Sequence, residues 1–266
     1  MYDFAYHRPK TLAEATAALK GKDEARAMSG GMTLIPTLKQ RLAKPTDVVD
    51  LNGIKELVGI KVDGNNVVVG GMTRHFDVSV SPDVKKVIPA LAYLAGHIGD
   101  PAVRNRGTMG GSVANNDPAA DYPAAVLALG ATVNTNNNRA IKADDFFKGL
   151  FETALEDGEL VTSVSFPKAD KAGYMKFPNP ASRYAMVGVF VAKTGNTVRV
   201  AVTGAGPCVF RVKAMEDALS KNFTSAAIKD IKIPADDLNS DIHGSAEYRA
   251  HLVNVMARRA VDAANK

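Results

Sequence analysis

Apolar residues recur at helical spacing through Val84, Val87, Ile88, Leu91, Leu94, Ala95 and Ile98, which predicts one buried amphipathic helix over this stretch. Elsewhere the period shortens. Phe4 to His7 reads as a strand, and Thr11 with Glu14 then forms a capping box, Thr11 as N-cap and Glu14 as its return partner, opening a helix that runs to about Leu19. Arg26 to Met28 predicts a strand, Thr33 to Leu42 a helix and Asp47 to Leu51 a strand, so a small β-α-β-α-β unit closes near residue 53. Ile60 to Val62 and Val67 to Val69 flank a turn at Asp63-Gly64-Asn65-Asn66, a hairpin pattern. Pro123 to Leu129 predicts a helix, and Ala131 to Asn134, Arg139 to Lys142 and Leu160 to Phe166 predict strands.

Pro167 to Gly173 is polar and reads as a linker. Beyond it, the apolar runs Arg183 to Ala192 and Thr197 to Thr203 are separated by Gly195-Asn196, a second hairpin, and helices follow near Lys213 to Leu219 and from Ser245 toward Ala264. The order is therefore a small α/β lobe, a larger mixed lobe, and an antiparallel sheet covered by helices. No internal repeat or low-complexity segment interrupts it.

Composition narrows the function. The chain has 266 residues, enough for two or three subdomains around substantial cores. Its 33 basic and 28 acidic side chains are spread along the chain, as on a solvated surface, and do not point to nucleic acid. No stretch approaches the ~20 apolar residues of a membrane span and no leader is evident, so the expected location is cytoplasmic, with membrane contact peripheral if any. Cys208 is the only cysteine, so the chain holds neither an intrachain disulfide nor a cysteine-ligated iron–sulfur cluster of its own. The five histidines show no ligand spacing, and no metal site is expected.

The candidate chemistry lies in two glycine pairs. Gly30-Gly31 stands in Ser29-Gly30-Gly31-Met32-Thr33-Leu34, and Gly110-Gly111 in Thr108-Met109-Gly110-Gly111-Ser112. Glycine pairs are usually plain turns. They also let a ligand approach the backbone and allow the positive φ angles that aim successive N–H groups at one point. Two such nests converging from distant parts of the chain would suit a pyrophosphate. No G-x-G-x-x-G follows a strand with an acidic partner at the right distance, which argues against a conventional dinucleotide fold. No histidine or cysteine is close in sequence to either loop.

Around these loops the sequence resembles the FAD-binding subunits and domains of molybdenum hydroxylases, and most closely those of the carbon monoxide dehydrogenase type. The resemblance rests on the first loop continuing as Leu34-Ile35-Pro36-Thr37-Leu38, on Arg104-Asn105-Arg106-Gly107-Thr108-Met109-Gly110-Gly111-Ser112, on Asp117-Pro118-Ala119-Ala120-Asp121-Tyr122-Pro123, on Arg183-Tyr184-Ala185 and on Ser245-Ala246-Glu247-Tyr248-Arg249. It implies an α+β fold: a two-subdomain FAD-binding fold of the p-cresol methylhydroxylase type over 1–53 and 54–170, then an α+β C-terminal domain of the carbon monoxide dehydrogenase flavoprotein type over 174–266.

The resemblance also implies roles. Met28, Ser29, Gly30, Gly31, Met32, Thr33 and Leu34 and, in the second loop, Thr108, Gly110, Gly111 and Ser112 would hold the FAD pyrophosphate through backbone amides and hydroxyls, with Asn115 in the same run. Met32 departs from the polar residue that relatives often carry there. Asp121 would accept from ribityl-side hydroxyls, and Asp117 either shares that work or caps a turn. Val161 falls near the flavin and Lys176 near its pyrimidine end; alternatively Lys176 is a solvated strand lysine. Tyr184 stacks on the isoalloxazine or packs in the core. No residue of this chain is assigned a catalytic role. The implied protein is an FAD-carrying electron-transfer subunit whose partners are a small [2Fe-2S] subunit and a large molybdopterin subunit, as a dimer of heterotrimers, with noncovalent FAD. A self-contained flavin reductase or oxidase of the same fold, or a non-redox nucleotide-binding module, are the competing readings.

Overall fold

A computed structural model describes all 266 residues. β1 (Ala5–His7), α1 (Leu12–Leu19), β2 (Ala25–Met28), α2 (Leu34–Lys39) and β3 (Asp47–Asp50) build a parallel sheet in the order β1-β3-β2. Every β3 residue is buried. A central strand of a parallel sheet is covered on both faces, which accounts for that burial. Thr11 caps α1 through the Glu14 amide, but the Glu14 carboxylate returns to the Lys10 amide instead of to Thr11.

The second lobe comprises β4 (Ile60–Asp63), β5 (Asn66–Gly70), α3 (His75–Val80), α4 (Pro82–Val87), α5 (Pro89–Gly96), α6 (Pro101–Arg104), α7 (Met109–Asn115), α8 (Tyr122–Ala128), β6 (Thr132–Thr135), β7 (Ala140–Lys142), α9 (Ala143–Phe146), β8 (Phe147–Gly149), β9 (Glu152–Thr153) and β10 (Val161–Pro167). Its antiparallel sheet runs β4-β5-β10-β6-β7. The third unit is the sheet β11 (Lys171–Pro178), β12 (Ala185–Thr194), β13 (Thr197–Thr203) and β14 (Phe210–Arg211), covered by α10 (Lys213–Lys221) and α11 (Ala246–Ala264). The architecture is α+β.

Three expectations need correction. The helix expected over 84–98 is two helices, because Pro89 forces Ile88 out of the helical region to φ −140, ψ 72. The helix expected over 33–42 ends at Lys39, and Arg41 sits at φ 60, a left-handed stop that leaves Leu42 exposed. The polar linker expected over 167–173 is mostly strand. β10 reaches Pro167 and β11 begins at Lys171, whose side chain and that of Tyr174 fall on opposite sides of an eight-residue strand paired to β12.

The core is continuous across the last two units. Tyr174, Phe190, Ala192 and Ala201 of the third sheet belong to the same apolar cluster as Leu91, Val126 and Phe166 of the second lobe. The opposite face of that sheet, through Val187, Val189 and Val191, packs on Val253, Met256 and Ala257 of α11. β12 is thus buried on both faces, which accounts for its uninterrupted apolar sequence.

Candidate functional site

A cleft of about 520 Å³ runs between the two lobes, lined by both glycine loops. Pockets of this size suit cofactors. Met28, Ser29, Gly30, Gly31, Met32, Thr33, Leu34, Thr108, Gly110, Gly111, Ser112, Asn115, Asp117, Asp121, Val161 and Tyr184 all face it. Lys176 does not line it, but stands directly behind Asp121.

The first loop leaves β2 and turns at Gly31, φ +72. Every backbone N–H from Ser29 to Leu34 lacks a hydrogen-bond partner within the chain. Gly30 and Gly31 are buried, and unpaired buried amides are costly unless a ligand accepts from them. The loop is held from behind: the Asn52 amide donates to the Ser29 carbonyl at 2.8 Å and to Asp50 Oδ1, and Asp50 Oδ2 accepts from Tyr6. Burial pushes the Asp50 carboxyl up, and Tyr6, Asn52 and Arg8 more than offset it, leaving the group below the usual carboxylate range.

The second loop is built differently, and here the expectation of two matching nests fails. Met109 N–H donates to Thr73 O, Gly110 N–H to Gly71 O, Gly111 N–H to Thr108 Oγ1 and Ser112 N–H to Thr108 O. Neither Gly110 nor Gly111 has positive φ. These glycines are required by close approach. A Cβ on Gly110 would lie 2.8 Å from Gly71 O, and one on Gly111 would lie 2.3 Å from Ser29 Oγ. Gly30 answers from the first loop, where a Cβ would come within 2.2 Å of Arg106 O. The two loops therefore meet backbone to backbone. What the second loop offers the cleft is side-chain chemistry, from Ser112 and Asn115.

Acidic groups also line the cleft. Asp117 Oδ1 accepts from the Ala119 amide, which is the turn-capping role. Asp121 is buried, and its Oδ1 accepts from Tyr174 and sits 2.9 Å from Lys176 Nζ. Burial raises its carboxyl above the usual range, with Lys176 and Tyr174 pulling it back. Tyr184 is 44% exposed at the cleft wall, in a turn closed by Asn179, and its hydroxyl is raised by burial and by the charges of Asp117 and Asp121. Arg183 before it adopts φ 62.

Sequence reasoning missed two residues. His75 lines the cleft although it is distant in sequence from both loops, and its ring packs so closely that a Cβ on Gly107 would lie 2.5 Å from Nε2. Burial, aided by Arg104, lowers its pKa to about 4, so the ring is neutral at physiological pH, and its Nδ1 has no partner. Only the chain reversal at Arg74, bridged to Thr108, brings it there. Asn52 had no signal at all, since its role depends on β3 lying beside β2.

An acceptor-only pyrophosphate matches the row of free amides, and hydroxyl-bearing ribityl and ribose groups match the carboxylates, so the residues present fit FAD.

Residues 2–169 match the FAD binding domain in molybdopterin dehydrogenase, and residues 172–264 match the CO dehydrogenase flavoprotein C-terminal domain. The carbon monoxide dehydrogenase medium chain of Hydrogenophaga pseudoflava is 37% identical over 98% of this chain and 96% of its own length. The glyceraldehyde dehydrogenase medium chain of Sulfolobus acidocaldarius is 36% identical over 97% of each chain. Among solved structures, carbon monoxide dehydrogenase from Hydrogenophaga pseudoflava superposes with a TM-score of 0.86 at 35% identity, covering 99% of this chain and 97% of that one. Quinoline 2-oxidoreductase from Pseudomonas putida 86 gives 0.88 at 30%, covering 99% and 98%.

Proposed function

The chain belongs to the FAD-binding medium subunits of molybdenum hydroxylases, a family of oxidoreductase subunits, and on that premise we propose that it is the electron-transfer subunit of such a complex. It receives electrons from iron–sulfur clusters on a small [2Fe-2S] subunit, after substrate oxidation in a large molybdopterin subunit, and delivers them to an external acceptor. The assembly is a dimer of heterotrimers.

The observation that carries this reading is the row of unpaired amides from Ser29 to Leu34, set in a cleft whose other walls supply hydroxyl and carboxylate groups. When bound, FAD supplies the redox chemistry and accepts and releases electrons singly or in pairs. The chain's own groups bind and orient it. The Ser29–Leu34 amides take the pyrophosphate, Ser112 and Asn115 add donors beside it, Asp121 accepts from sugar-chain hydroxyls, and Val161 and Tyr184 bound the ring system. With a single cysteine the chain cannot ligate a cluster, so clusters are supplied by a partner. His75 is the one histidine on the cleft, and it is buried and uncharged at neutral pH, which suits packing more than proton delivery in a self-contained reductase.

Purification of the native complex with metal analysis tests the proposal. Stoichiometric FAD on this chain, with iron and molybdenum on two co-purifying chains, is expected. Substrate turnover by this chain alone, with no partner, overturns it.

A further inference from the structure

Resting on the FAD reading above, we infer that Lys176 is a positioning residue that acts on the cofactor through Asp121: it holds the Asp121 carboxylate ionised and aimed, so that the third unit of the fold completes the binding cleft of the first two. The resemblance placed Lys176 against the flavin itself. The geometry points elsewhere. Lys176 Nζ is committed to Asp121 Oδ1 at 2.9 Å and to the His97 carbonyl at 2.7 Å, its side chain is 7% exposed, and it does not line the cleft.

Tyr174, two residues earlier on the same face of β11, donates to the same oxygen, so both donors crowd onto Oδ1. Oδ2 accepts nothing from the chain, yet Asp121 lines the cleft. That oxygen is the acceptor left for a ligand hydroxyl. A carboxylate this deeply buried would take up a proton without a counter-charge, and a protonated carboxyl whose oxygens compete for one proton is a poorer and less directed acceptor. Lys176 is the only cation within ion-pair distance of Asp121.

The other titratable groups that face Asp121 cannot replace it. They are Tyr174 on β11, Tyr122 on α8, His97 at the end of α5, and Tyr184 with Asp117 on the same wall of the cleft. Tyr122 and Tyr174 are raised well above the ordinary tyrosine value by burial and stay neutral, and Asp117 adds negative charge. His97 engages Tyr93 O through Nδ1 and offers Lys176 only its carbonyl.

The test is a double-mutant cycle on the full chain, with FAD dissociation constants measured by titration of the apoprotein across pH 5 to 9, and thermal unfolding alongside. Lys176→Met and Asp121→Asn should each weaken FAD binding by about ten- to hundredfold, as expected for a charge-assisted contact, and the double variant should be no weaker than the worse single one. Lys176→Met should regain affinity as pH rises and Asp121 loses its proton, whereas Asp121→Asn should show no such recovery. Losses that multiply in the double variant, or a Lys176→Met affinity independent of pH, would overturn the inference. So would a change in flavin reduction potential in Lys176→Met with unchanged affinity, which would put the lysine on the ring. If Lys176→Met does not fold, Lys176→Gln repeats the cycle with a neutral donor retained for His97 O. A wild-type chain that binds no FAD would instead refute the cofactor reading, a separate result.

Discussion

The two glycine loops look alike in sequence and do different work. The first presents unpaired amides from Ser29 to Leu34 and needs one positive φ, at Gly31. The second spends its amides on Gly71, Thr73 and Thr108 and needs glycine for lack of a side chain. A glycine pair thus records either a donor surface or a close crossing, and the pattern GG does not say which. The hydrogen-bond ledger of the surrounding backbone decides it.

Gly30→Ala attacks the crossing where it is tightest and should have the largest effect. Its Cβ would meet the Arg106 carbonyl, backbone that cannot swing aside, so we expect a loss of several kcal/mol, about 2–4, together with loss of flavin absorbance. Unfolding midpoints and the visible spectrum check both. A folded, yellow Gly30→Ala protein would mean that the loops do not meet as described.

The second loop should be the acid-sensitive one, because His75 packs against Gly107. A histidine whose folded pKa is depressed to about 4 from 6.5 binds more protons unfolded, so stability is full above about pH 6.5 and falls as pH drops toward 4. The loss is about 3 kcal/mol at most. His75→Gln should flatten that part of the stability–pH curve, which denaturant titrations at pH 7, 5.5 and 4.5 would show. An unchanged slope would remove His75 as its cause.

Asn52→Ala sharpens the contrast from the other side. It frees the Ser29 carbonyl and should cost about 1 kcal/mol in stability while weakening FAD binding about tenfold, since the donor row loses its backing. Equal FAD affinity in parent and variant would show that the row holds its shape unaided. The smallest effect is expected from Gly195→Ala in the β12–β13 turn. A Cβ there has open space but φ is +57, so about 1 kcal/mol of strain follows, with the flavin retained. Calorimetry and the visible spectrum separate the two terms.

Most of the fold was legible because its elements announce themselves locally. β12 and β13 are apolar runs around a turn, α11 begins at Ser245 with a side-chain cap to Tyr248, and the first lobe alternates strand and helix. Pro89 was visible too, and a strict reading of its effect on Ile88 would have split the long helix. The start of β11 was missed because Lys171 and Gly173 continue the polar run from Pro167 and make it read as a linker. In the site, residues near the glycines were within reach of the sequence. His75, Asn52 and the engagement of the second loop's amides were not, since each arises from pairing between segments far apart in the chain.

The turn from Asp117 to Asp121 is stapled to the third sheet. Thr203 Oγ1 donates to Ala120 O at 2.6 Å, Gly204 N–H to Pro118 O at 2.7 Å, and Ala185 N–H to Ala119 O at 3.4 Å. During synthesis, both glycine loops leave the ribosome well before any of these partners exist. The wall of the cleft that carries Asp121 therefore has its full set of staples only after residue 204 has emerged, and a nascent chain stalled earlier holds the donor row with that wall incompletely tied down.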